Sequence, residues 1–480
     1  MNAIILKDLF MSNDMYIMQK KYTIFLIFLY IFLLFCVYNL KRILIFQERY
    51  DRSKTMADLS HRMAEVKILL KGKDGKPLSN TKISINQVNH EFLFGCGAFE
   101  TLPYTNGPVV HNGNGSLNKV KPMDGEELEA FHARLEDRMQ KWLELFNFGT
   151  LPFYWGGFEP EEGSPNTQQL MAAAKFLKSK DVTVKGHPLC WHTGCVPWLM
   201  NYDNKTILQK QLERIHREVG NFKGVIDMWD VINEVVIMPI YNKYDNAITR
   251  ICKELGRVRL VKKVFDAAQE TNPDGIFLIN DFNLSSNYEI LIDGCLNAGV
   301  PIKTIGLQSH QHQGVWTQEK TEEILSRFEH FGLPIHFTEN TIVAGPLVDP
   351  SLDDSQDAHY EDDAATPEFE QKQAEDLEKM YRNLFENHPL VTAITNWDFG
   401  DGAWLNAPSG VIRKDGSLKP SYNALHHLIK EEWHTACEAT TDAQGFVTVK
   451  GFKGKYEITA GSNKADFKLT NDSKPITVNF

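Results

Sequence analysis

The sequence predicts a (β/α)8 barrel, or TIM barrel, with a small β-sandwich formed by the two ends of the chain. Short apolar segments that suit buried strands alternate with amphipathic stretches that have helical spacing. The predicted strands cover 92–99, 146–153, 183–191, 225–234, 275–282, 304–310, 334–340 and 391–399. The predicted helices cover 127–144, 167–179, 206–219, 252–269, 318–331 and 368–387. No glycine-rich phosphate loop follows the first strand, which argues against a doubly wound open sheet.

The composition is that of a globular protein that does not bind nucleic acid. The chain has 480 residues, of which 42% are hydrophobic, and a formal net charge of -11. No basic surface stands out to neutralise phosphates, so we expect no nucleic-acid partner. The seven cysteines are too scattered for a disulfide scaffold. Cys190 and Cys195 lie near His187 and His192, but their spacing matches no zinc site, so we expect no metal.

The N-terminal region, 1–40, contains a candidate signal or membrane segment. Its residues 22–38 form an uninterrupted apolar run, at the lower limit for a spanning helix and slightly longer than a usual signal-peptide core. Lysine and arginine flank the run on both sides, so charge does not fix its orientation. Both interpretations, a cleaved signal and a retained anchor, predict that the rest of the chain lies outside the cytoplasm, secreted or membrane-anchored. Residues 41–63 are predicted to form a charged stalk.

The segments on either side of the predicted barrel, 91–432, have the alternation of β-strands. Residues 64–90 contain two alternating stretches joined by a Gly/Pro turn, and residues 433–480 contain four more. Each segment alone is too small a sheet to bury much surface. We therefore expect the two segments to pack together as one small β-sandwich beside the barrel.

Most of the predicted barrel strands end in polar and aromatic residues. The active site of such a barrel lies at the carboxyl ends of its strands. Buried polar groups cost free energy unless they are paired, so packing alone explains this pattern poorly. The residues are His187, Trp191 and His192 at the end of the third strand, Asn233 and Glu234 at the end of the fourth, Asn280 at the end of the fifth, Gln308 and His310 at the end of the sixth, Glu339 at the end of the seventh, and Trp397 at the end of the eighth with Trp404 beyond it.

Two carboxylates on different strands, surrounded by amides, imidazoles and tryptophans, are what glycoside hydrolysis needs. One carboxylic acid protonates the leaving oxygen, and the other carboxylate attacks the anomeric carbon or activates water. Amides and imidazoles hold sugar hydroxyls, and tryptophan faces carry the C–H surface of the ring. Sequence spacing does not give the distance between the carboxylates, so it leaves retention and inversion of configuration open.

The motifs at these strand ends resemble the family 10 glycoside hydrolases, which are typically endo-β-1,4-xylanases. The resemblance covers about residues 90 to 430, and the motifs follow the order of the family. The matching stretches are Gly186-His187 with Trp191-His192, Trp229-Asp230-Val231-Ile232-Asn233-Glu234, Asn280-Asp281-Phe282-Asn283, Gly306 to His310, Thr338-Glu339, Trp397 to Trp404, and Lys419-Pro420-Ser421-Tyr422.

The resemblance implies a retaining double displacement with Glu234 as general acid/base and Glu339 as nucleophile. It also implies that Asn233 binds the 2-hydroxyl of the sugar at the cleavage point and that His310 holds the nucleophile. An acid/base must stay protonated near neutrality, whereas a nucleophile must stay ionised. The other substrate-binding residues that the resemblance implies are His187, Trp191, His192, Asn280, Gln308, Trp397 and Trp404.

The end of the second predicted strand departs from the family pattern. The family usually has a Glu-Asn pair and a Lys before its Trp, and these grip the non-reducing side of the glycan. When the chain is aligned on Trp155, the corresponding residues are Thr150, Leu151 and Tyr154. Neutral or apolar side chains thus replace the charged and polar side chains that contact the non-reducing side of the glycan in the family.

The resemblance implies an endo-1,4-β-xylanase acting on xylan or a decorated relative, with no cofactor because two carboxylates suffice. Two alternatives remain. The same mechanism could act on another β-glycan or transfer glycosyl units. A carbohydrate-binding protein with weakened catalysis is the other alternative, and the altered second strand motivates it. The oligomeric state does not follow from the sequence.

Overall fold

A closed barrel of eight parallel strands forms the centre of the fold, as the sequence predicts. The computed structural model describes residues 58–112, 116–119, 123, 125–352, 358–472 and 474–480. The barrel strands are β1 (Leu93–Gly97), β2 (Phe148–Pro152), β3 (Thr183–His187), β4 (Met228–Asn233), β5 (Ile276–Asp281), β6 (Thr304–His310), β7 (Ile335–Thr341) and β8 (Val391–Asn396). Each strand pairs with its neighbours in chain order, and β8 closes the barrel against β1.

Helices cover the outside of the barrel. Their apolar faces form one continuous core with the outward faces of the strands. The longer helices are Gly125–Leu145, Thr167–Ser179, Asn204–Phe222, Ala247–Leu255, Arg257–Thr271, Ser286–Asn297, Gln318–Phe328 and Pro367–Asn387. The shorter helices are Thr101–Asn106, Trp155–Phe158 and Pro420–His426, and the last runs into a π-helical turn at His427–Glu432.

One close contact explains a glycine in the strand that leads to the site. Gly186 of β3 is paired with Trp229 of β4, and a Cβ atom at Gly186 would lie 2.2 Å from the Trp229 ring. Any other residue would therefore push the Trp229 indole out of its fully buried position. This packing fixes the ends of β3 and β4, from which His187 and Glu234 extend.

The two ends of the described chain form the β-sandwich that the sequence predicts. In one sheet, Met63–Lys71 lies between Phe446–Phe452 and Ile476–Asn479. In the other, the strands follow the order Ala436–Thr440, Lys82–His90, Gly454–Ala460 and Asn463–Leu469. Ile68 and Val449 of the first sheet share one hydrophobic cluster with Ile85 and Tyr456 of the second.

Some element boundaries differ from the sequence prediction. The helix predicted over 252–269 is two helices, because Gly256 has a φ of 78° and interrupts the helical backbone. The helix Ser286–Asn297 and the edge strand Ala436–Thr440 were not predicted. The apolar run at 22–38 and the stalk up to residue 57 lie outside the described residues, so their roles stay predictions. None of the helices in the described part of the chain has the combination of length and hydropathy that a transmembrane helix needs.

Candidate active site

A cleft of about 590 Å³ lies at the carboxyl ends of the barrel strands. Every residue that the sequence predicts for the site lines this cleft, except Asn280, which is buried behind it. The lining residues from that prediction are His187, Trp191, His192, Asn233, Glu234, Gln308, His310, Glu339, Trp397 and Trp404. The fold thus brings together side chains that are separated by more than two hundred positions in the sequence.

Glu234 follows β4 and is held by three polar side chains. The indole Nε1 of Trp191 donates a hydrogen bond to Oε2 of Glu234 at 2.8 Å. The side-chain amides of Asn233 and Gln308 donate to Oε1 at 3.3 and 3.2 Å. These donors orient the carboxyl group toward the cleft.

Glu339 lies near the end of β7 and accepts two hydrogen bonds. The amide of Asn280 donates to Oε1 at 2.7 Å, and Nε2 of His310 lies 3.1 Å from Oε2. The other ring nitrogen of His310, Nδ1, lies 2.9 Å from the hydroxyl of Thr341. A hydroxyl can donate to Nδ1, which leaves the proton on Nε2 for Glu339.

Asn280 joins the two carboxylates from behind. Its amide donates to Glu339 and also to Oδ1 of Asn233 at 2.8 Å, while its own Oδ1 accepts from the hydroxyl of Thr338 at 2.6 Å. Asn233 in turn donates to Glu234. The residue predicted as a substrate contact therefore lies in a position that fixes the arrangement of both carboxylates.

A chain of buried charges lies below Glu339 inside the barrel. Nζ of Lys185 is 2.6 Å from Oδ2 of Asp230, and Nδ1 of His187 is 2.7 Å from the same oxygen. Nε2 of His187 then lies 4.0 Å from Glu339. Lys185 and Asp230 are not among the site residues that the sequence predicts. A lysine inside an otherwise apolar strand was the signal that could have found them, since a buried lysine needs a partner.

The surroundings shift the pKa values of the two glutamates in opposite directions. Burial and the negative charge of Glu339 raise the pKa of Glu234 to about 8. Burial also opposes the ionisation of Glu339, but His187 and His310 outweigh it and hold the pKa of Glu339 below its usual value. At neutral pH, Glu234 is therefore protonated and Glu339 is ionised, which is the pattern of an acid next to a nucleophile.

Both glutamates have a backbone conformation that is rare for a residue with a side chain. The φ angles are 54° at Glu234 and 56° at Glu339, in the left-handed region. A residue held in a sparsely populated region costs on the order of 1–3 kcal/mol. Each of these two strained residues carries a carboxyl group that faces the cleft.

The aromatic part of the cleft packs around the histidines. The Trp397 ring lies edge-on to the rings of His187 and His310, with centroids 5.4 and 6.1 Å apart. The Trp404 ring is 4.5 Å from that of His310. These flat faces form a wall next to Glu339 against which a sugar ring can lie.

Three residues at the end of β2 differ from the family pattern, and only one of them lines the cleft. Leu151 belongs to the hydrophobic core, and Thr150 is fully buried. Tyr154 lines the cleft between His187 and Trp191, with its ring centroid 5.6 Å from each of theirs. Of these three residues, Tyr154 is thus the one whose side chain faces the cleft.

The loops after β4, β5 and β6 add an aromatic wall whose residues are not among the predicted site residues. The ring of Tyr241 packs on His192 with centroids 4.4 Å apart, and Phe282 and Trp316 line the same cleft. Tyr241 and Trp316 lie outside the predicted strands, where no periodic pattern places them, whereas Phe282 ends the predicted strand 275–282.

Comparison with known proteins identifies the family. The family model described as glycosyl hydrolase family 10 matches residues 153–428, which is more than half of the chain. The chain belongs to this family. The match includes the two glutamates, and family 10 proteins act on glycosidic bonds. The barrel that the sequence predicts, and the family that it resembles, are thus confirmed.

Relatives in family 10 are distant. An endo-1,4-beta-xylanase B from Thermotoga neapolitana is 27% identical over 58% of this chain and 78% of its own length. An endo-1,4-beta-xylanase/feruloyl esterase from Xylanibacter ruminicola is 25% identical over 57% of this chain, which spans only 40% of that relative. The solved structure of xylanase 10B from Thermotoga petrophila RKU-1, in complex with xylobiose, superposes with a TM-score of 0.54 at 21% identity, over 71% of this chain and 95% of that one.

Proposed function

We propose that this chain is a retaining endo-β-1,4-xylanase with Glu234 as general acid/base and Glu339 as nucleophile. The observation that carries the proposal is the pair of glutamates in one cleft, one protonated and one ionised at neutral pH. The names of the relatives support xylan as the substrate. Both carboxylates receive hydrogen bonds from side chains of the cleft, which favours an active enzyme over a binding protein with weakened catalysis.

In the first step, the Glu339 carboxylate attacks the anomeric carbon while Glu234 donates its proton to the glycosidic oxygen. The bond from the anomeric carbon to that oxygen breaks, and a glycosyl ester of Glu339 forms. In the second step, Glu234, now a carboxylate, takes a proton from water. The water oxygen attacks the anomeric carbon and releases Glu339.

The charge of Glu339 explains how Glu234 can change its role. The negative charge of Glu339 is one cause of the raised pKa of Glu234. The ester is neutral, so this cause disappears in the intermediate and the pKa of Glu234 falls. The same side chain is therefore an acid before the ester forms and a base afterwards.

The proposed function is tested by reducing-sugar release from unbranched xylan, arabinoxylan, mixed-linkage glucan and cellulose. We expect release from one or both xylans and much slower release from the two glucans. Equal release from all four would contradict the preference for xylan. Release from none, by a chain whose circular dichroism shows a folded protein, would contradict an active xylanase.

The pH profile of kcat/KM should have a plateau around neutrality and fall above pH 8. Glu234 must be protonated in the free enzyme, and burial together with Glu339 raises its pKa to about 8. Glu339 must be ionised, and its lowered pKa puts the acidic limb below the usual glutamate range. Trp191 donates to Glu234 and favours the ionised form, so Trp191→Phe should move the alkaline limb to higher pH. An alkaline limb that the substitution leaves in place would contradict this assignment.

Tyr154 is proposed to replace the charged grip of the family on the non-reducing side. Its hydroxyl has no hydrogen-bond partner among the described residues, although the ring is largely buried in the cleft wall. Burial, together with Glu339 and Glu234, raises the pKa of Tyr154 well above its usual value, so the hydroxyl keeps its proton. It can therefore donate to a sugar hydroxyl.

Tyr154→Phe is expected to raise KM for xylan by roughly threefold to tenfold, which corresponds to one neutral hydrogen bond. The effect on kcat should be smaller than about twofold, because the hydroxyl contacts neither the leaving group nor the water in the proposed mechanism. Tyr104→Phe removes a hydroxyl that binds Glu136, away from the cleft, and is the matched control. An unchanged KM in Tyr154→Phe would show that the tyrosine only fills space.

A further inference from the structure

A second cavity lies at the opposite end of the barrel from the cleft. It has a volume of about 390 Å³, in the range of small-molecule sites. Its floor is made by the starts of the barrel strands, including Leu93, Met228 and Ile276, and its roof by Phe452 and Lys453 of the β-sandwich. We name this cavity the basal pit. The acid/base chemistry proposed above does not use it.

Arg62 is a buried cation in the wall of the basal pit. Only 7% of the residue is exposed. Its Nε and Nη2 donate to the carbonyls of Phe385, Leu384 and His388, at the end of the helix Pro367–Asn387. These bonds cap the helix. They leave the Nη1 donors without a hydrogen-bond partner among the described residues.

The charge of Arg62 is attracted by that of Glu91, which raises the pKa of Arg62, but the two side chains do not form an ion pair. Among the described residues, Arg62 forms no ion pair. The one acidic residue of the basal pit, Glu91, is paired with Lys453 at 3.3 Å. Burial lowers the pKa of Arg62 to about 9, so the guanidinium remains charged at neutral pH. Buried charges are usually paired, so this cation is an unusual feature that an anionic ligand would explain.

A second polar group in the basal pit also lacks a partner. His336, 3% exposed, lines the pit, and its Nδ1 is buried without a hydrogen bond within the described part of the chain. The remaining wall is largely apolar. The Arg62 guanidinium is held between two rings, 4.7 Å from the centroid of Phe92 and 5.0 Å from that of Phe385. A ligand for this pit thus needs one negative charge and a flat apolar body.

We propose that the basal pit binds a small monocarboxylate with a flat apolar body, whose carboxylate pairs with Nη1 of Arg62. One unpaired cation balances a single charge and not a dianion such as phosphate, and the apolar wall favours a ligand with more than a charged group. Phe452 and Met228 contact the body of the ligand from opposite sides of the pit. The site lies between the barrel and the sandwich, which gives the sandwich a role beyond covering the barrel.

Isothermal titration calorimetry with trans-cinnamate, cinnamyl alcohol and inorganic phosphate tests the proposal on the full chain. The first two probes have the same carbon skeleton and differ in charge. We expect cinnamate to bind at least about tenfold more tightly than the alcohol and phosphate. Equal binding of cinnamate and the alcohol would overturn the role of Arg62, and no heat from cinnamate at millimolar concentration would overturn the site.

Two variants locate the binding. Ile276 is 40% exposed and faces the basal pit, so Ile276→Trp should fill the pit and weaken cinnamate binding by at least about tenfold. Ile290→Trp places the same side chain on an exposed helix outside the pit and should leave the affinity within about twofold. Both variants should keep full xylanase activity. Wild-type affinity in Ile276→Trp would overturn the proposal. This test avoids substitutions of Arg62, because they would remove the helix cap and could unfold the protein.

Discussion

Replacing Glu339 by alanine is expected to lower kcat on xylan by about four orders of magnitude or more. Both steps of the proposed reaction use this side chain, once to attack the anomeric carbon and once as the leaving group. No other described carboxylate lines the cleft within reach of the same hydrogen-bond donors, since Asn280 and His310 both bind Glu339. Water attack without the nucleophile is therefore the only remaining route.

The fold should tolerate Glu339→Ala. The side chain lines the open cleft, so its replacement by alanine leaves no closed cavity in the core. Removing such a residue from an active site commonly leaves stability unchanged or raises it. Thermal unfolding should thus give a Tm equal to or above that of the wild type. A lower Tm together with lost activity would assign the loss to misfolding.

A control and a rescue make the result specific. Glu323→Ala removes a half-exposed carboxylate on the outer helix Gln318–Phe328 and should keep full activity. Azide is small enough to enter the space that the missing carboxylate leaves, so it should restore turnover of an activated aryl xyloside in Glu339→Ala. The glycosyl azide should have inverted configuration, because azide takes the place of the nucleophile. A product of retained configuration would contradict the assignment of Glu339.

The fold was largely predictable because the barrel strands are short, apolar and regularly separated by amphipathic helices. The helix Ser286–Asn297 was not predicted because its apolar and polar residues are less clearly separated into two faces. The edge strand Ala436–Thr440 was not predicted because most of its side chains are exposed, so its sequence lacks the alternation of apolar and polar residues. Gly256 divides a helix whose two halves continue the same apolar pattern, which periodicity does not resolve.

The site was predictable to the extent that its residues end strands. Asn233-Glu234 and Thr338-Glu339 follow apolar runs, so the barrel geometry alone brings them to one face. The contacts behind them depend on the height of each side chain inside the barrel, which a sequence does not give. For this reason, the sequence-based prediction assigned no role to Lys185 and Asp230. For the same reason, it placed Asn280 at the substrate, whereas the structure places it behind both glutamates.

Replacing Glu234 by alanine should have an effect that depends on the leaving group. On xylan, the sugar oxygen is a poor leaving group and needs the proton, so we expect kcat/KM to fall by about 10²- to 10⁴-fold. An aryl xylobioside with an acidic phenol needs no proton to leave. Its first step should therefore be slowed by less than about tenfold, which loss of a nucleophile would not allow.

The second step should become rate-limiting with the activated substrate. Without Glu234, no base takes the proton from the attacking water, so the glycosyl ester of Glu339 accumulates. Stopped-flow measurement of phenol release should show a burst of about one equivalent per enzyme, followed by slow turnover. Azide needs no base, so it should accelerate that turnover and give a glycosyl azide of retained configuration.

The matched variant is Glu234→Gln, which keeps the shape of the side chain and its contact with Trp191 but carries no transferable proton. It should behave like Glu234→Ala on both substrates, and its kcat/KM should no longer fall above pH 8, because the group with a pKa of about 8 is gone. Equal losses on xylan and on the activated substrate in both variants would mean that Glu234 positions the glycan. The proton would then have to come from another group in the cleft.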